Sequence, residues 1–274
     1  FHVSDGDDPP RAVADGGGGG VSGWLDFSAI SMIWRRELLR VSRDPTQIGG
    51  SVARPILWLF VLGLGLGSSF PGFSGMRYVE YLLPGIVAMN LIFSAFLSAI
   101  SIIWDREFGF LKEMLVAPIT RTSIAVGKSA SGATVSCLQG CLVLVFIPWL
   151  GISLQPWRIL AGVPIMFLIA FPLTALGLWI ASRMTSFEGF GTIANFVIMP
   201  MFFLSGAVFP LQEAPEVMRL LSRVNPLSYG VDLLRGVFYG VWMHPGWLDL
   251  LVLVLFSGAA LAGAVRAFRS DAVR

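Results

Sequence analysis

The sequence returns repeatedly to stretches of about twenty residues with few or no charges, at about 52–70, 82–104, 123–150, 159–182, 189–209 and 247–268. A helix needs roughly 20 apolar residues to cross the hydrocarbon core of a bilayer. Because lipid offers no hydrogen bonds, such stretches must satisfy their own backbone and are expected to be helical. Charge content points the same way: only 13% of the 274 residues are charged and the mean hydropathy is +0.76, whereas a soluble domain carries about 25% charge. Too little charge is present to cover a water-facing surface. The expected fold is an all-α integral membrane protein with six transmembrane helices. A formal net charge of +2 gives no reason to expect nucleic acid as a partner.

Orientation follows from lysine and arginine, which favour the cytoplasmic side. With six spans, 14 of the 19 basic residues fall on one side, among them Arg35, Arg36, Arg40, Arg54, Arg106, Lys128 and Arg183. Arg77, Arg158, Arg219, Arg223 and Arg235 fall on the other. Both termini and the loop between the second and third spans are therefore expected in the cytoplasm.

Within the spans, the first is read as starting at Arg54-Pro55, a proline being tolerated in a first helical turn. It carries Gly63-x-x-x-Gly67, a spacing that permits close helix approach. The third opens with Ser129, Ala130, Ser131, Gly132, Ala133, Thr134 and Ser136, a composition suited to a helix surrounded by helices. Cys137 and Cys141, four residues apart in that run, read as small packing residues, since a metal site needs more ligands nearby.

Between the spans, residues 1–23 are acidic, contain proline and end in a glycine run. They cannot bury a core and are expected to be a disordered tail with no cleaved leader. Residues 24–46 hold an interfacial helix. Leu25, Ile30, Ile33, Trp34 and Leu38 lean to one side of it; Arg35, Arg36, Glu37, Arg40 and Arg43 are polar. The permease domain spans 47–269, and 270–274 form a short tail. Residues 105–128 contain the densest charge between two apolar runs. Trp104, Phe108, Leu111 and Leu115 recur at helical spacing and predict one apolar face, with Asp105, Arg106, Lys112 and Glu113 mostly opposite. Ala117-Pro118 ends the helix. Before the last span, Pro215-Glu216 and Asn225-Pro226 each open a helix, asparagine being a good N-cap and proline a good first residue. The second, about 226–240, is apolar but too short to cross, which predicts a re-entrant hairpin. Asp232 and Arg235, three apart, are expected to pair.

Two of these stretches carry a resemblance. Arg106-Glu107-x-Gly109-x-Leu111-x-Glu113-x-Leu115-x-x-Pro118 resembles the cytoplasmic loop of ABC-2-type transporter permeases, with Phe110 standing where many relatives have a small polar residue. Ser205-Gly206, Pro210, Pro215 and Leu220, followed by Asn225-Pro226-Leu227-x-Tyr229-x-x-Asp232-x-x-Arg235-Gly236, resembles that family's run before the last span. The likeness covers roughly residues 24–269. It implies that Arg106, Glu107, Leu111, Glu113, Leu115 and Pro118 belong to a coupling helix seated on an ATPase subunit. The helix bearing Trp34, Arg35, Arg36 and Arg40 would be a connecting helix. It also implies two ATPase copies, a second permease copy and an inner-membrane location. Asn225, Pro226, Tyr229, Asp232 and Arg235 would belong to the hairpin.

No nucleotide site is expected in this chain. Gly127-Lys128-Ser129 ends like a phosphate loop, but Thr122 stands where that motif needs its first glycine. Lys128 reads as a cation near the end of the third span. ATP and magnesium would sit on the partner subunit, and no cofactor, metal or catalytic set is expected here. The substrate path is placed between the second and fifth spans, where Asn90, Phe93, Phe96, Asn195, Phe196, Met199, Phe202 and Phe203 form a weakly polar aromatic wall. Packing against lipid or core is an open alternative for each of these. Such a wall suits an amphipathic drug or lipid, or a sugar stacking on rings. A polysaccharide or lipooligosaccharide exporter, a non-transporting six-span scaffold and a facilitative carrier are the competing readings; no internal repeat of the kind carriers show is found.

Overall fold

In a computed structural model the described residues are 25–43, 45–65, 75–109 and 119–271. Among them there are ten α-helices and no β-strand. They are α1 (Phe27–Ser42), α2 (Pro45–Gly65), α3 (Tyr78–Ala99), α4 (Ser101–Glu107), α5 (Arg121–Val145), α6 (Pro156–Ser182), α7 (Phe187–Phe203), α8 (Glu216–Val224), α9 (Pro226–Tyr239) and α10 (Gly246–Asp271). The expected tail over 1–23, Trp24, Gly67 and the loop residues Leu111, Lys112, Glu113, Leu115 and Pro118 lie outside the described residues.

α3 is the axis of the bundle. Almost all of it from Tyr78 to Ala99 is buried, and it packs against α2, α5, α6 and α9. α5 lies between α1, α3 and α6. Its small residues are buried as their composition predicts, with Ser129, Ala133 and Ser136 at 0% exposure. Gly127 marks where α1 crosses α5: a Cβ there would stand 3.2 Å from Ile33 Cβ and 3.4 Å from Ile30 Cα. α6 joins α5 to α10 on the far side. Gly63 of the close-approach motif faces Val79 of α3.

Among the described residues, four helical runs are long and apolar enough to cross a membrane: Tyr78–Glu107, Arg121–Trp149, Pro156–Ser182 and Gly246–Arg269. The stretches expected as the first and fifth spans give shorter apolar helices, Val52–Gly63 and Phe187–Phe203. The expected start at Arg54-Pro55 is corrected: α2 begins at Pro45 and Pro55 lies inside it. A proline at the first position fits there as well, and the interior proline costs a single backbone bond. The fifth stretch leaves helix after Phe203, six residues short of expectation, because Gly206 takes a left-handed conformation with φ +71°. α8 and α9 begin where the sequence predicts. Asn225 Oδ1 accepts a hydrogen bond from Leu227 N at 3.1 Å, and its Nδ2 donates to Met201 O at 2.7 Å.

Candidate functional site

Polar chemistry gathers at three levels along α3: beyond its C-terminal end, beside its middle and near its N-terminal end.

At the junction of α1, α4 and α5, Lys128 is 2% exposed. Its Nζ donates to Asp105 Oδ2 at 2.5 Å, to Glu37 Oε1 at 3.2 Å and to Ser101 Oγ at 3.2 Å. Arg36 reaches the same two acids, 2.6 Å from Glu37 Oε1 and 3.4 Å from Asp105 Oδ2. Arg40 stands 3.9 Å from Glu37 Oε2 and lies over the Trp104 ring. Burial pushes the Glu37 carboxyl up, but Lys128 and Arg36 beside it outweigh that and hold it below its ordinary value. The acid therefore stays ionised at neutral pH. Trp34 Nε1 donates to Thr134 Oγ1 at 3.0 Å, fastening α1 along α5. Arg106 donates to the carbonyls of Met184 at 2.8 Å and Ser182 at 2.7 Å, tying α4 to the end of α6. Arg35 and Glu107 are exposed.

This junction corrects two expectations. Glu37 and Asp105, assigned to polar outer faces, are buried at 7% and 8%. Trp104 and Phe108, assigned to the seating face, are 40% and 73% exposed. They stack on one another, and Trp104 also meets Phe187. The reason is Lys128: a buried cation requires its counter-ions to turn inward, which rotates the aromatic face of α4 outward. A lone lysine inside an apolar run demands a partner, but nothing in the spacing names which acid answers it.

Beside the middle of α3 lies a cavity of about 330 Å³ between α2, α3, α5 and α7. Four residues of the predicted path, Asn90, Phe93, Phe96 and Asn195, line it, together with Arg54, Ser94, Gln139, Phe190 and Ile198. The Arg54 guanidinium lies 4.7 Å from the Phe93 ring centre, and Phe96 stacks on Phe190 at 6.3 Å. Asn90 Nδ2, Ser94 Oγ and both polar atoms of Gln139 are buried without a hydrogen-bond partner. Buried polar atoms nearly always have one, so this lining is a set of donors and acceptors held ready. The other predicted path residues do not join it. Phe196, Met199 and Phe203 face outward at 79%, 43% and 43% exposure, while Phe202 is packed inside at 2%. A second cavity of about 380 Å³, lined by Glu37, Arg40, Ser101 and Trp104, shares Leu97 and Ile100 with the first.

Near the start of α3, Gly206 O accepts from Tyr81 Oη and from an Arg235 guanidinium N–H, each at 2.9 Å. That guanidinium lies 4.0 Å from the Tyr81 ring centre. Asp232 accepts from Met243 N at 2.9 and 3.0 Å and from His244 N at 2.8 Å. The expected direct Asp232–Arg235 pair is not formed: Asp232 turns to the backbone of 243–244 and Arg235 to Gly206 O and Met243 Sδ, while the acid still acts on the guanidinium through its charge. Tyr229 Oη donates to Arg223 O at 2.7 Å and holds α8 to α9.

With this geometry in hand, comparison with known proteins is informative. Residues 28–239 match the family described as ABC-2 type transporter. The chain belongs to that family. ABC-2 relatives include Nodulation protein J of Rhizobium leguminosarum bv. viciae, 30% identical over 244 residues, covering 86% of this chain and 92% of the relative. Inner membrane transport permease YadH of Escherichia coli K12 is 26% identical over 238 residues, covering 85% and 91%. Among ABC-2 permeases this chain is a multi-pass membrane protein of the transport class, and the matched region includes both the buried ion cluster and the lined cavity.

Proposed function

We propose that this chain is the membrane-spanning permease subunit of an ATP-driven exporter, moving an amphipathic substrate out of the cytoplasm or the inner leaflet. It lies in the inner membrane with six spans, the two short apolar helices completing the set, and with both termini in the cytoplasm. The α8–α9 segment is a hairpin that enters the outer leaflet and returns. ATP and magnesium are handled by two copies of a separate ATPase subunit, and a second copy of this chain completes the pathway. Arg106, Glu107, Leu111, Glu113, Leu115 and Pro118 receive the ATPase stroke. Arg106 hands it to α6 through the carbonyls of Ser182 and Met184, and Lys128 hands it to α1 and α5.

The observation that carries the reading is the cavity beside α3. Its walls are aromatic and aliphatic, and its buried amides and hydroxyl lack partners. Ligand sites are mostly apolar with a few converging polar groups. An apolar body fits the Phe93, Phe96 and Phe190 walls, and a hydroxyl- or amide-bearing head satisfies Asn90, Ser94 and Gln139. The same lining favours, as the second reading, export of a glycan carried on a lipid. In proteoliposomes holding the permease with its ATPase, Gln139→Leu and Asn90→Leu should each weaken substrate affinity about tenfold, the worth of roughly one hydrogen bond, while the complex still assembles. Unchanged transport kinetics in both variants would refute the site.

A further inference from the structure

The loop between α9 and α10 brings together three groups that the transport reading does not use. Asp232 closes against the backbone of 243–244, His244 follows in that loop, and Asp249 sits in the first turn of α10. His244 Nδ1 is 3.3 Å from Asp232 Oδ2 and 3.8 Å from Asp249 Oδ1. One ligand atom from each of the three lies within 4.8 Å of the other two. Asp249 is 0% exposed, yet neither of its carboxylate oxygens accepts a hydrogen bond. Two carboxyl groups meeting beside an imidazole nitrogen, one of them fully buried, need a proton or a cation to hold them together.

We propose that Asp232, His244 and Asp249 form a binding site for a divalent transition-metal ion of the zinc class. Ligands held at about 2.0–2.1 Å in a tetrahedron stand roughly 3.3 Å apart, the His244 Nδ1–Asp232 Oδ2 separation, and Asp249, 3.8 Å from the imidazole, closes on the ion by a small inward shift. The ligand types select it, since an imidazole among carboxylates suits zinc, manganese or iron and not the all-oxygen shells of calcium and magnesium. The His244 side chain is 41% exposed, so the ion can enter from that side and keep an open position. Tyr229 flanks the imidazole, with ring centres 5.4 Å apart, and fixes its plane. The backbone N–H groups of Met243 and His244 orient Asp232 as outer-shell donors orient metal ligands. The bound ion ties the start of α10 to α9, and through Arg235 and Gly206 to α3.

The test is Zn²⁺ binding to the purified full-length permease in detergent or nanodiscs, by calorimetry, with thermal unfolding as a second readout. One equivalent should bind, raising the unfolding temperature as ligands of the folded state do, and millimolar Mg²⁺ should not substitute. His244→Ala and Asp249→Asn should each weaken binding at least tenfold and abolish the thermal shift. Cys137→Ser/Cys141→Ser should bind as the wild type does. Absence of a saturable site, wild-type affinity in both His244→Ala and Asp249→Asn, or loss of binding in the cysteine variant instead would overturn the proposal.

Discussion

The two ends of α3 hold their buried charges by opposite means. Beyond its C-terminal end, acid and base meet side chain to side chain: Lys128 of α5 bridges Glu37 of α1 and Asp105 of α4, with Arg36 at the rim. Near its N-terminal end, Asp232 and Arg235 share one helix and feel each other's charge without a direct bond. The acid is capped by the backbone N–H groups of 243–244 and the guanidinium by the Gly206 carbonyl and the Tyr81 ring. The first arrangement adds a charged joint to α1 and α5, which already pack along one another, and draws α4 into it, so that removing Lys128 leaves two buried acids to Arg36 at the rim. The second closes loops onto a fixed scaffold, and each tie is worth about one hydrogen bond. A side-chain ion network suits transmission between elements, whereas backbone-anchored charges suit a rigid lid.

The sharpest way to break this contrast is Lys128→Met. It leaves Asp105 and Glu37 facing each other in a buried site with only the partly exposed Arg36 shared between them, and removing the buried partner of such a network costs up to about 3–5 kcal/mol. A large fall in the unfolding temperature of the detergent-solubilised protein is expected, and no change would show that the network is ornamental. Lys128→Met combined with Asp105→Leu should recover much of that loss, because an apolar replacement of the whole pair is often neutral. If the recovered protein then transports poorly at normal expression, the network serves coupling more than folding. At the other end, Asp232→Asn exchanges an acceptor for an amide facing two N–H donors and should cost about 1–3 kcal/mol, read by the same thermal assay and confined to the hairpin by hydrogen exchange. Tyr81→Phe removes one of two donors to Gly206 and should cost about 1 kcal/mol or less. A Tyr81→Phe effect as large as that of Lys128→Met would erase the distinction between the ends. Acid should separate them gently. Glu37 has its carboxyl lowered on folding, so its contribution is present above the ordinary carboxylate value and is lost as pH falls through the lowered one. The ion-network end should therefore loosen first below about pH 4.

Much of the architecture was legible because lipid leaves a chain few options. Apolar length located the four long helical runs but missed the start of the first stretch by seven residues and the end of the fifth by six. Asparagine followed by proline located α9. The small residues of α5 announced its burial. What could not be read was which way a helix turns about its own axis near the membrane edge. The pattern at Trp104 and Phe108 looks like an inward face because large apolar residues are assumed to be buried. Lys128, more than twenty residues downstream, reverses that by drawing Asp105 inward. The residues expected to line a path divided for a similar reason: Asn90, Phe93 and Phe96 are set by the central position of α3, whereas Phe196, Met199 and Phe203 belong to a short helix whose outer side no periodicity distinguishes. Asp249 was hidden inside an apolar run, and its meeting with His244 depends on a loop geometry that residue spacing does not encode.

The order of the ion network along the chain has a consequence for biosynthesis. Glu37 and Asp105 both precede Lys128 in sequence, so both acids have left the ribosome by the time the lysine reaches the membrane. A lysine buried among helices without a partner carries a penalty that is largest at the middle of a span and remains costly near its end when no water reaches it. Here it arrives where α1 and α4 already offer two carboxylates, and it is neutralised as it inserts. The reverse order, with the lysine first, would have left the insertion machinery holding an unpaired cation through the synthesis of two further segments. The order predicts that α5 inserts less completely when Glu37 and Asp105 are both replaced by alanine, as glycosylation-site mapping would show.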